Sequence, residues 1–330
     1  MEFIDGHTVG IDLGTSNSAL AHLDETGNPL LTRNSDGNVM TPSVITMLSD
    51  KQVQVGAYDP NSIVDPDNVV LAIKRHMGST DFALEFGQRR LTPEFLSALI
   101  LRKIREDAEE RIGPIGNAVI SVPYYFNDAC RRATSDAGQI AGLNVIDIIN
   151  EPTAATLAYA WLSGDLGNPD ADGTTKTIMV YDLGGGTFDA TVVQYTANVF
   201  RVLATDGDTF LGGLDWTKRI VDYAAQELMN RFRMDPRENP SVSLKLLGAC
   251  ETAKRQLQTS EKATIAVPVD GVSVNIDLTR AVFEDITADL LQRTRDTTEL
   301  VLEQCSKTVD DLDQIVLVGG STLMLSLIHI

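Results

Sequence analysis

Short apolar runs alternate with amphipathic stretches along the whole chain, which predicts an α/β protein. Val9-Gly10-Ile11-Asp12 reads as a buried strand running into a turn at Gly14, with residues 18–23 returning beside it. Further short strands are expected at 44–47 and 53–55. The clearest helix covers 92–112. Thr92 can cap it, Pro93 suits its first position and Gly113-Pro114 stops it. Phe95, Leu99, Ile104, Ala108 and Ile112 fall near one face of that helix. Residues 119–122 form a strand ending at Pro123. Asn127 then caps a helix closed by Gly142, and a third helix is expected at 152–162. The second half predicts strands at 178–182, 190–194, 264–267, 273–278 and 314–318. Helices are expected there at about 214–232, 244–257 and 281–305.

One unit occurs twice. Gly10-Ile11-Asp12-Leu13-Gly14-Thr15-Ser16 and Tyr181-Asp182-Leu183-Gly184-Gly185-Gly186-Thr187 both place Asp-Leu-Gly at the end of an apolar strand. Each continues into a second strand. The pattern is that of a duplicated domain, with two related lobes facing each other. The Gly, Asp and Thr-rich stretch 164–175 is the expected boundary between them.

Charge narrows the function. The 330 residues carry 46 acidic against 27 basic side chains, a net charge of −19. So acidic a surface argues against general nucleic-acid or anionic-membrane binding. Any phosphate site must be local, built from backbone N–H groups, a lysine and a metal ion. Cys130, Cys250 and Cys305 are widely spaced and fit neither a disulfide framework nor a metal motif, which points to a reducing compartment. The N-terminal residues show no signal-peptide pattern. The uncharged stretch 315–330 is 16 residues long, short of a membrane span, and reads as a buried strand and turn.

The two turns are the candidate chemistry. There is no Walker A loop and no Rossmann fingerprint. Instead Gly14-Thr15-Ser16-Asn17 and Gly184-Gly185-Gly186-Thr187 form glycine-rich hairpin turns that can present N–H and hydroxyl donors to phosphate oxygens. One such turn alone reads as an ordinary tight hairpin; two matched copies favour phosphate binding. Asp12 and Asp182 sit where each strand meets its turn. They either bond their own turn amides or converge on Mg²⁺ through waters. Asp189, on the return strand, could orient a water or hold a monovalent cation. Glu151 begins a helix, where the dipole favours a carboxylate in any case. Lys74 taken alone is an ordinary lysine. Gly212-Gly213 precedes a helix, a setting that favours anions, and Gly319-Gly320 follows a strand in the same way. Glu251 and Lys254 have the spacing of a solvated helical ion pair, with Arg255 beside them.

Taken together, these segments resemble the nucleotide-binding domain of the 70-kDa heat-shock chaperones, the Hsp70/DnaK family. The resemblance runs from about residue 9 to 322 and includes 122–128, 141–144, 149–155, 211–213 and 250–255. It implies the actin-like ATPase (ribonuclease H-like) α/β fold, with two lobes around a central nucleotide cleft. Lobe I would cover 1–168, with an outer subdomain at about 40–90. Lobe II would cover 174–330, with an outer subdomain at about 213–289. The resemblance implies binding of ATP and ADP. Asp12 and Asp182 would hold hydrated Mg²⁺. Gly14, Thr15, Ser16, Asn17, Gly184, Gly185 and Thr187 would bind phosphates. Lys74 and Glu151 would position the attacking water and stabilise the γ-phosphoryl charge. Thr187 and Asp189 would support the nucleophile and a K⁺ site. Gly212, Gly213, Glu251, Lys254, Arg255, Gly319, Gly320 and Ser321 would surround sugar and adenine. Pro123 and Arg131 would relay the nucleotide state between lobes.

The family's peptide-binding domain would lie beyond residue 330. The implied partners are unfolded client peptides and a nucleotide-exchange factor, in the cytoplasm. Asp147 stands where many members carry an Arg that engages J-domain co-chaperones, which counts against ordinary J-domain pairing. Residues 323–330 replace the family's Arg-x-Pro continuation and read as a truncated or frameshifted end. The competing expectations are a sugar kinase on the same fold and a non-hydrolysing nucleotide-binding fragment.

Overall fold

A computed structural model describes residues 5–49, 52–56, 66–166, 175–197, 199–269 and 272–324. The expected boundary at 164–175 and the stretch 323–330 lie largely outside them. Two sheets organise the chain. The first runs in the order Asn144–Asn150, Ile115–Val122, His7–Asp12, Asn17–Leu23, Pro29–Leu31, with Thr41–Pro42 also on Asn17–Leu23. The second runs Phe200–Asp208, Phe188–Tyr195, Lys176–Leu183, Gln314–Val318.

The duplication extends beyond the turn motif. In each sheet an antiparallel hairpin (His7–Asp12 with Asn17–Leu23; Lys176–Leu183 with Phe188–Tyr195) takes a further antiparallel strand on its second arm. On its first arm each hairpin takes a parallel strand from far along the chain, Ile115–Val122 or Gln314–Val318. Parallel pairing needs a long crossover. The first sheet spans it with the helix Pro93–Ile112, the second with the helix Arg280–Gln304 and the elements before it.

Each sheet faces its own apolar core. Val9, Ile11, Leu20, Ala118 and Ile120 pack with Leu96, Ile100, Leu101 and Ile104 of the first crossover helix. Met179, Leu183, Phe188 and Val192 pack with Trp216, Ile220 and Leu228 of the helix Gly213–Phe232. A third core lies under the opposite face of the second sheet. There Ala160, from the helix Glu151–Leu162, meets Ile178, Val180, Val193 and Tyr195. That helix also follows directly on the edge strand of the first sheet, so it joins the two halves mechanically.

Capping signals located the helix starts well. The Thr92 side chain accepts from the Phe95 N–H, and Asn127 from the Cys130 N–H. Several expectations are corrected. Phe95 is exposed, because the buried positions of its helix run through Leu96 to Leu101 and on to Ile104 and Ala108. The strand Gln314–Val318 is a sheet edge rather than buried, with Ile315 and Leu317 exposed. Asn144–Asn150 and Phe200–Asp208 are strands that the pattern did not announce. Both are half-buried edge strands without a clean two-residue alternation. Among the described residues no helix is long and apolar enough to cross a membrane, and the three cysteines are free thiols.

A polar clip ties the end of the joining helix to the second sheet. The Asp165 carboxylate accepts from Lys176 Nζ at 2.7 Å, Ser163 Oγ at 2.7 Å and Tyr195 Oη at 2.8 Å. The hydrogen bonds from Lys176, Ser163 and Tyr195 hold this carboxyl down at about 2, below its ordinary 3.8. A depressed carboxyl stabilises the fold above its unfolded-state value and loses that contribution as pH falls toward its folded value. Asp165→Asn should therefore lower the melting temperature at pH 7 by about 2–4 °C. The gap to wild type should close between pH 4 and pH 2. Thermal melts across that range check this, and a gap that persists at pH 2 would assign the effect to packing instead.

Candidate functional site

The two glycine turns meet. A Cβ built on Gly185 would lie 2.1 Å from Ser16 Oγ, and one on Gly186 would lie 2.4 Å from Thr15 Cγ2. A Cβ on Gly212 would lie 2.5 Å from the Gly186 nitrogen. The Gly212–Gly186 approach is backbone to backbone and admits no side chain, while at Gly185 and Gly186 a side chain would displace Ser16 or Thr15. Each turn is also locked from behind. In the first, Ser43 Oγ donates to Gly14 O at 2.8 Å and the Ser43 N–H donates to Ser16 O at 2.9 Å. In the second, Gly184 O accepts from the Gly213 N–H at 3.0 Å and from Ser321 Oγ at 2.8 Å. Gly185 O accepts from the Leu214 N–H at 2.8 Å, and Gly186 O from Arg75. With these carbonyls engaged, the Gly185 and Gly186 amides have no hydrogen-bond partner among the described residues. Successive free amides of this kind form an anion-binding concavity.

Ionisable groups crowd beside the turns. Lys74, on the short 3₁₀ turn Ile73–His76, donates to Glu151 Oε1 at 2.5 Å. Both side chains are buried, at 7 % and 14 % exposure. Burial works against the Lys74 ammonium, but Glu151, Asp12 and Asp182 outweigh it and hold the group above its ordinary value. Burial, aided by Asp12, pushes Glu151 up against the pull of Lys74. Asp182, one residue before its strand ends, lies directly opposite Asp189 in the hairpin register. Burial with Glu151 and Asp12 nearby raises Asp182 to about 7. Burial with Glu151 and Asp182 nearby raises Asp189 to about 8, and Asp189 Oδ1 has no partner among the described residues. Asp12 is more open and accepts from Ser121 Oγ at 3.3 Å.

Four carboxylates thus surround one lysine. That excess of negative charge, offered by hard oxygen donors, fits a hydrated divalent cation. No group of three acidic, His or Cys side chains among the described residues is placed to enclose a metal by itself.

Other expected residues gather around the second turn. The Lys254 ammonium is buried and donates to Gly213 O at 2.8 Å, Thr217 Oγ1 at 3.0 Å and Glu251 Oε2 at 2.7 Å. Burial lowers Lys254 in spite of Glu251. The helical spacing pointed to a solvated pair; Lys254 is instead an internal brace, and only Arg255, on Glu251 Oε1 at 2.9 Å, is exposed. Gly319 adopts φ +86°, and a Cβ there would lie 2.3 Å from Leu183 O. Gly320 faces open space. Arg131 donates to Phe126 O at 2.8 Å, Tyr124 O at 3.2 Å and Asn150 Oδ1 at 2.5 Å. It thereby ties the loop after Pro123 to the residue preceding Glu151.

Sequence reasoning missed Arg75, Asp215, Ser43 and Tyr125. Tyr125 is raised by burial and by Asp189, and lies next to Thr187. Asp215 had a readable signal, since it stands three residues after Gly212 and accepts the Gly212 N–H at 3.0 Å. Arg75 had none beyond its place next to Lys74.

A model of the Hsp70 protein family matches residues 8–328. This chain belongs to the Hsp70 family. It is 43% identical over 324 residues to the chaperone protein DnaK of Halobacterium salinarum, in each of two strains. Those alignments cover 96% of this chain and 50% of each relative, so the chain spans about half the length of the curated relatives it matches. Membership implies the actin-like ATPase fold, with which the mixed α/β architecture agrees, and it favours a nucleotide-binding chaperone module over a sugar kinase.

The glycine contact is testable without ligand. Gly185→Ala should cost about 1–3 kcal/mol of stability, the usual cost of forcing a methyl into filled space. Denaturant unfolding checks it. A neutral result would mean that the Ser16 side chain moves aside freely.

Proposed function

We propose that this chain is the ATP-binding and ATP-hydrolysing module of an Hsp70-type chaperone. One observation carries the reading: two tightly apposed glycine turns stand beside a buried Lys74–Glu151 pair in an acid-rich junction. Gly14, Thr15, Ser16, Asn17, Gly184, Gly185 and Thr187 cradle the phosphates. Asp12 and Asp182 would hold hydrated Mg²⁺, and Asp189 would accept K⁺. When bound, Mg²⁺ neutralises charge on the phosphate oxygens.

Phosphoryl transfer to water relies on positioning and electrostatics rather than on covalent chemistry. The raised Lys74 stays protonated at neutral pH and stabilises charge on the γ-phosphoryl oxygens. Glu151 fixes the Lys74 ammonium and orients the attacking water, with the Thr187 hydroxyl assisting. Gly212, Gly213, Glu251, Arg255, Gly319, Gly320 and Ser321 surround sugar and adenine, and Lys254 braces that wall from inside. The two lobes, 1–168 and 174–330, close on ATP and relax after hydrolysis. Pro123 and Arg131 carry the change between them. In a longer chain this cycle would control client-peptide binding in the cytoplasm, with a nucleotide-exchange factor as partner. The exposed Asp147 weighs against ordinary J-domain pairing.

Single-turnover hydrolysis of ATP in Mg²⁺ and K⁺ tests the proposal. Measurable turnover is expected. Binding without turnover would reduce the reading to a nucleotide-binding module, and the absence of both binding and turnover would overturn it. Lys74→Ala should slow the chemical step by about 10²–10³-fold, with nucleotide affinity nearly unchanged. Asp182→Asn should remove most of the Mg²⁺ dependence of nucleotide binding in titration calorimetry.

A further inference from the structure

Arg75 lies next to Lys74 on the four-residue turn Ile73–His76, but it points to the other half of the chain. Its Nε and Nη2 both donate to Gly186 O, at 3.0 and 2.6 Å. Nη2 also donates to Asp215 Oδ2 at 2.6 Å. The side chains are largely buried, at 8 % and 15 % exposure. The Phe210 ring lies 5.8 Å from the guanidinium carbon. Asp215 is itself fixed, since the same Oδ2 accepts the Gly212 N–H at 3.0 Å and Oδ1 accepts from Lys218 at 3.3 Å.

We infer that Arg75, with Asp215, is a latch that makes the placement of Lys74 conditional on contact between the two halves. Three features support this. The Ile73–His76 turn is stiff: Ala72 is held at φ 55°, and the Arg75 and Met77 amides bond Ala72 O and Lys74 O. A displacement of Arg75 is therefore passed to Lys74. The acceptors of Arg75 belong to the second glycine turn and to the helix start behind it, both far along the chain. The bonds are charge-assisted and shielded, so they form only at one separation of the halves. Opening breaks them together. Arg75 is a positioning residue, acting through Lys74 and Gly186. Its effect on turnover rests on the ATPase reading; the latch itself does not.

The test uses Arg75→Ala, Arg75→Lys, Asp215→Asn and the Arg75→Ala/Asp215→Asn double variant. Amide hydrogen exchange on the nucleotide-free protein reads the latch directly. In Arg75→Ala, exchange of the bonded amides of both turns (Arg75 and Met77 in one; Gly184, Gly213 and Leu214 in the other) should speed up about tenfold, while the cores of both sheets stay protected. Single-turnover hydrolysis should fall by about tenfold or more, as a small misplacement of a charge-stabilising group does, and ADP release should accelerate. Arg75→Lys should recover the melting temperature but not the rate, because one ammonium cannot reproduce the planar fork. The double variant should be no worse than Arg75→Ala. Wild-type exchange in both turns, a wild-type rate in Arg75→Ala, or full additivity in the double variant would each overturn the latch. If the wild-type protein hydrolyses no ATP, the ATPase reading fails on its own. Exchange then decides the latch: faster exchange in both turns upholds it, and unchanged exchange overturns it.

Discussion

The buried pair of Lys74 and Glu151 is the interaction on which the rest of the arrangement depends. Two charges are removed from water, and their contact, with Asp12 and Asp182 also facing Lys74, offsets that cost. Removing Lys74 would leave Glu151 beside Asp12 and Asp182 without a counter-charge, at a cost of about 3–5 kcal/mol. The pair also fixes structure on both sides. Glu151 starts the helix that joins the two sheets, and Lys74 sets the turn from which Arg75 reaches across. In a chain of net charge −19, this one lysine stands among four acids. Long-range attraction therefore contributes nothing to holding a polyphosphate; short-range donors must do so.

Those donors come from a repeated construction. Each sheet delivers a hairpin whose turn is glycine-rich, locked from behind through its carbonyls and pressed against its counterpart. The site is thus built by two rigid scaffolds rather than by mobile loops. Holding the carbonyls on the structural side leaves amides for the ligand side. Serine supplies the lock in the first turn, through Ser43. In the second turn a helix N-terminus, Ser321 and Arg75 supply it.

Local chemistry made much of this legible in the sequence. Thr92 and Asn127 announced their helices because a cap is a contact within four residues. Asp12 and Asp182 were visible because Asp-Leu-Gly recurs, and the structure puts both beside Lys74. What escaped was set by distance along the chain. Nothing near Arg75 marks a partner 140 residues away. The spacing of Glu251 and Lys254 announced a pair but not its burial, which comes from Gly213 and Thr217 on another helix. Phe95 shared the helical period of the buried face yet points outward, since periodicity cannot tell which flank a neighbouring helix covers. The edge strands 144–150 and 200–208 lacked alternation because each is covered only in part.

The parallel pairings have a consequence for synthesis. The first sheet is complete in hydrogen bonds once Asn150 has emerged from the ribosome, since all its strands precede that point. The second cannot finish until Gln314–Val318 arrives to pair with Lys176–Leu183. Until then, the flank of Lys176–Leu183 is an unpaired apolar edge on a nascent chain, the kind of surface that invites misassembly. A protein built this way matures from front to back, and its own second half passes through the exposed state that chaperones exist to shield.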